Sequence, residues 1–110
     1  MPDITRFIER LANFSVDHQV VTNHYEYGCL ENEFRRNNLM IYLRTLKDLK
    51  PKVLLIGEAP GHKGCRVSGI PFTSENIMMN GIANCEIFGE HRGYQNINEK
   101  FNYAKEQSST

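Results

Sequence analysis

The sequence predicts an α/β layer fold, on three observations. Helical apolar stripes occupy the first half of the chain, a short β-branched-rich run comes next at Val53 to Ile56, and a glycine-rich loop opens directly behind it at Gly57. A helix, then a strand without polar interruption, then a glycine loop is the pattern of a parallel strand buried on both faces beneath covering helices. In such sheets ligands bind beyond the carboxyl ends of the strands, so residues 57 to 75 are where a site is expected.

Each element has its own signal. Ile4, Phe7, Ile8, Leu11 and Ala12 recur at three and four residues, which predicts an amphipathic helix over Asp3 to Phe14 with Asp3 as its N-cap. Residues 15 to 28 have no sustained period, carry turn formers and end at Gly28, so they read as a connecting loop. Leu30 and Phe34 keep a helical spacing. Asn37 or Asn38 is placed to cap a further helix with the stripe Ile41 or Tyr42, Leu43, Leu46 and Leu49, closed by Pro51. After the strand and its loop, a short helix is expected over Glu75 to Ala83, and Gly81, Gly89 and Gly93 break up the chain beyond it. The final stretch ends in Ser108, Ser109 and Thr110, residues suited to a helix N-cap, with no helix behind them.

Composition limits the function classes. A length of 110 residues allows one small domain, residues 1 to 110, and no apolar run approaches the roughly 20 residues of a membrane helix. The N-terminus lacks a secretory pattern, and Cys29, Cys65 and Cys85 are an odd, widely spaced set. Both features predict a cytoplasmic, intracellular protein without disulfides, and the spacing predicts no metal or other cofactor. The net charge is zero but uneven: residues 35 to 66 hold eight basic against two acidic side chains, a balance of +6. A basic middle beside a glycine-rich loop is either a phosphate-backbone footprint or a solvated helix face.

The loop GEAPGHKGCRVSGIPF holds Gly57, Gly61, Gly64 and Gly69, where glycine permits positive φ and close approach to a ligand, and Pro60 and Pro71 stiffen its turns. It contains neither the phosphate loop GxxxxGK[ST] nor the dinucleotide fingerprint GxGxxG.

GEAPG directly after VLLI, with GCR, GIPFTSE and FGEHRGY further along, resembles a branch of the uracil-DNA glycosylase superfamily, over about Leu39 to Gln107. The resemblance implies a three-layer α/β/α fold with a parallel sheet, here only as its N-terminal portion of helices, first strand and active-site loop. It implies hydrolysis of the N-glycosidic bond of uracil in DNA after base flipping, and uracil-containing DNA as partner. Gly57, Glu58, Ala59, Pro60 and Gly61 match the loop that lines the pocket for the flipped base, and Phe72 matches the aromatic on which that base stacks. The best-known members carry a carboxylate one position after Glu58; Ala59 stands there, as in members with GEAPG, so the catalytic role passes to Glu58. His62, Lys63 and Arg66 fall where phosphate contacts would lie.

Plainer readings stand beside these. Glu58 suits a loop carboxylate paired with Lys63 or Arg66, and Phe72 suits a core aromatic between Ile70 and Ile77. His18, His24 and His91 read as structural or exposed, and Cys65 as a small buried residue. Family members continue for about a hundred residues more, to a base-reading amide and a late histidine loop. The chain is therefore expected to be a shortened, split or degraded copy, inactive alone, with a second chain or the missing C-terminal half completing the fold. Two other functions stay open: a non-catalytic nucleic-acid- or protein-binding remnant, and a nucleotide-binding α/β domain.

Overall fold

The structure, a computed structural model, describes residues 2–18, 22–53, 64–83 and 85–97. Among the described residues, four α-helices and a short 3-10 turn occur in the order α1 (Pro2–Ala12), α2 (Leu30–Leu49), α3 (Cys65–Ser68), α4 (Glu75–Asn80) and the 3-10 turn Glu90–Arg92. Pro2 opens α1, a position where a missing N–H costs nothing, and Asp3 sits in the first turn rather than at the cap. Ile4, Ile8 and Ala12 are buried along one stripe, whereas Phe7, at the edge of the same stripe, is mostly exposed.

Helix α2 is one continuous helix of 20 residues. The expected cap at Asn37 or Asn38 is therefore corrected: both lie within the helix, and Asn38 is completely buried. Packing decides this, because the Asn38 amide finds partners outside the helix and has no need of the backbone groups that a cap would satisfy. Its Nδ2 donates to the Ser68 carbonyl at 2.9 Å and the Gln95 carbonyl at 3.0 Å, while its Oδ1 accepts the Gln95 N–H at 2.8 Å. The helix ends as expected before Pro51, with Lys50 in the left-handed region donating its N–H to Leu46 and Lys47 carbonyls.

Helix α2 carries both apolar clusters. On one flank Ile4 and Ile8 of α1 meet Leu39, joined by Leu11, Met40, Leu43 and Tyr25. On the other, Ile70, Met78 and Tyr94 meet Ile41 and Tyr42, and Phe88 stacks on Tyr42 with ring centroids 6.0 Å apart. Ser74 caps α4 by accepting the Ile77 N–H at 3.3 Å, and Gly81 ends it, three residues short of the expected Ala83. The buried Glu75 carboxylate accepts the N–H of Ile97, itself fully buried.

The α/β expectation is overturned. The described residues are mostly helical and contain no strand or sheet, only an isolated bridge between Ile82 and Cys85. Among the described residues, Ile4 and Ile8 of α1 and Leu39, Ile41 and Tyr42 of α2 pack on each other or on the 70–94 segment, while Phe7 and Leu49 of the two stripes stay exposed. Of the expected strand, Val53 has no regular structure and is 79% exposed, and Leu54 to Ile56 lie outside the described residues. With the α/β class falls the three-layer parallel-sheet architecture.

Candidate functional site

The segment from Gly64 to Glu75 is a short helix, a tight turn and a helix start, tied down at every step. The Thr73 N–H donates to the Ile70 carbonyl at 3.3 Å, closing a β-turn with Pro71 and Phe72 at its centre. Phe72 has φ +59°, at the position where a turn with proline before it normally takes glycine or asparagine. For a bulky L residue that conformation costs on the order of 1 to 2 kcal/mol. The side chain recovers little of this by burial, since Phe72 is 65% exposed. It is not the core aromatic of the plainer reading; Ile70, fully buried, takes the core position beside it.

The turn is held from beneath. The buried Ser68 hydroxyl donates to the Thr73 carbonyl at 2.8 Å and accepts the Ile70 N–H at 3.0 Å, bridging the two limbs. Tyr25 donates its hydroxyl to the Gly69 carbonyl at 2.7 Å. Asn38 holds the Ser68 carbonyl from α2. Burial first, and then the neighbouring Cys65, pushes the Tyr25 phenol well above its usual range, so it remains a donor. Burial also raises the Cys65 thiol, which keeps it protonated at neutral pH.

Gly69 departs from its expected role. At φ +84° it presses on α2, where an added Cβ would lie 2.8 Å from both the Cβ and the carbonyl oxygen of Arg35. The close approach that glycine allows here is to a helix backbone, not to a ligand. Among the described residues, the nearest atom to a Cβ placed at Gly64 is the Thr73 carbonyl oxygen at 3.6 Å, so no comparable close approach is seen there.

Arg66 lies in α3, half-buried, and its charge reaches His24 together with that of Arg35. Burial first, then Arg35, then Arg66, lowers the His24 pKa. Arg35 and Arg66 thus both act on His24 where the 22–28 loop meets α2 and α3. The sequence marks Arg66 but not His24 or Arg35, because a segment without periodicity offers no spacing to place His24 beside a residue 42 positions away. Gly57, Glu58, Ala59, Pro60, Gly61, His62 and Lys63 lie outside the described residues.

Two further features frame the site. An open cavity of about 860 Å³ is lined by Met79, Gly81, Cys85, Phe88 and His91 among others; Phe72, the one described residue expected to bind a base, is not part of its lining. Among the described residues no three His, Cys, Asp or Glu side chains converge as a metal site would require, and no helix is long and apolar enough to cross a membrane. No family model, curated protein or solved structure matches the chain, so its resemblance to uracil-DNA glycosylases rests on the GEAPG and GIPFTSE motifs themselves.

Proposed function

We propose that the chain recognises uracil in DNA as an extruded base and carries part of a site for hydrolysing its N-glycosidic bond. The observation that carries this reading is Phe72, an exposed aromatic ring on a fixed turn, in a backbone conformation that favours glycine. Strain at an outlying φ, with the surrounding structure arranged to impose it, is a feature of ligand-contacting positions. A base stacked on one face of that ring gains on the order of 1 to 3 kcal/mol.

The rest of the site derives from the motif. Bond cleavage leaves positive charge on the sugar and negative charge on departing uracil, so an anion near the sugar and donors near the base both lower the barrier. Glu58 supplies the first, and backbone N–H groups of Gly57 to Gly61 the second. His62, Lys63 and Arg66 meet the phosphates. No cofactor takes part in this chemistry. Three free thiols, Cys29, Cys65 and Cys85, suit a reducing intracellular compartment.

The second reading is a non-catalytic nucleic-acid- or protein-binding module that retains the turn without the chemistry. The first reading requires uracil to be preferred and the nucleic-acid-binding form of the second requires DNA to be bound, and fluorescence anisotropy with matched single strands containing uracil or thymine tests them in order. Tighter binding of the uracil strand, with the preference lost in Phe72→Ala, is the expected result. Equal affinity for the two strands contradicts uracil recognition and leaves the binding module.

A further inference from the structure

Just before α2, the loop that holds the Phe72 turn presents a second aromatic ring. Tyr27 is 50% exposed, and the Arg36 guanidinium lies 4.4 Å from its ring centroid. Arg36 is itself fixed, because its NH1 donates to the Tyr25 and Glu26 carbonyls at 2.9 and 3.0 Å. The loop on which Tyr27 stands is anchored on both sides. Asn23 donates to the Leu11 carbonyl at 2.8 Å and accepts the Tyr25 N–H at 3.0 Å, while Asn32 donates to the Glu26 carbonyl at 3.0 Å. Tyr25, two residues before Tyr27, reaches Gly69 of the Phe72 turn.

We infer that Tyr27, backed by Arg36, is a stacking platform for an unpaired nucleobase flanking the one received at Phe72, so that the chain grips a single strand at two aromatic rings. A planar ring held rigidly beside a fixed cation, in a chain whose basic residues concentrate between Arg35 and Arg66, matches what sequence-tolerant single-strand binding uses: a π face for the base and positive charge for the backbone. The inference rests on the proposed recognition of DNA but not on uracil, because stacking at Tyr27 reads no base edge. Its simpler alternative is a local lock, in which Arg36 and Tyr27 serve only to hold the loop; that role predicts a change in stability and none in DNA binding.

Anisotropy titration of the full chain with short single strands of thymidine, with and without one uracil, separates these. Tyr27→Ala is expected to weaken both strands equally, by roughly 5- to 150-fold, with an unchanged melting temperature. Tyr27→Phe, which keeps the ring, is expected to bind as the native chain does. Should alanine lower the melting temperature, Tyr27→Leu keeps an apolar stem beneath Arg36 without a π face and is expected to show the same weakening. Native-like binding by a folded Tyr27→Ala or Tyr27→Leu overturns the inference, as does failure of the native chain to bind either strand. If the native chain binds both strands alike and Tyr27→Ala weakens both, uracil recognition fails and the platform stands.

Discussion

Phe72 combines two properties that a residue kept for stability would not combine: it bears a left-handed backbone and leaves most of its ring in solvent. Glycine at that position relieves the strain, so Phe72→Gly is expected to leave the melting temperature unchanged or raise it by the equivalent of about 1 kcal/mol, while abolishing preference for uracil-containing strands. Thermal unfolding and anisotropy on one sample check both halves; a substantial fall in melting temperature would give the ring a structural role instead. His24 supplies a pH prediction. Its folded pKa lies below the ordinary 6.5, from burial and then the Arg35 and Arg66 charges, so the unfolded chain takes up its proton first on acidification. The stability tied to neutral His24 is complete above the unfolded value and is lost as pH falls through it toward the folded pKa. Melting temperature is expected to drop as the pH falls through the ordinary histidine value of about 6.5. His24→Gln should flatten that drop, and an identical profile in the variant would show that other groups cause it.

Among the elements, α2 and the 64–75 segment form the working unit. Gly69→Ala adds a Cβ 2.8 Å from the Arg35 backbone at a positive φ, and neither helix nor turn can yield without breaking the Tyr25 and Asn38 hydrogen bonds. A loss on the order of 2 kcal/mol or more is expected in chemical denaturation, as for other strained or overpacked positions; native stability in this variant would mean that the turn is not pressed on the helix. The elements also show what the sequence could convey. The stripes of α1 and the later part of α2, the stop at Pro51 and the short helix after Ser74 were legible because each has a local periodic or capping signal. Asn38 misled because a buried amide and a helix cap use the same residue type, and only tertiary partners distinguish them. The α/β class was overturned for a related reason: it was drawn from a brief apolar run that carries no period, of which only Val53, without regular structure, falls among the described residues.

At the scale of the molecule, one helix serves as the support for both the core and the candidate site. α1 covers one flank of α2, the 70–94 segment covers the other, and the loop of Tyr25 and Tyr27 joins α2 to the turn of Phe72. The candidate site was legible in the sequence as a motif, through Phe72 and Arg66. The residues that hold it were not, because Tyr25, Asn38 and Ser68 act through contacts across 30 or more residues or through a hydroxyl that no spacing marks. The central claim is that a uracil base stacks on the Phe72 ring. The most direct measurement is the NMR shift of the Phe72 ring protons, assigned by their absence in Phe72→Leu, during titration with a uracil-containing single strand and its thymine counterpart. Stacking predicts a saturable upfield shift with the uracil strand, and recognition of uracil by the rest of the site predicts a smaller one with thymine; ring signals unmoved by the uracil strand would contradict stacking, and signals moved equally by both would contradict the preference for uracil.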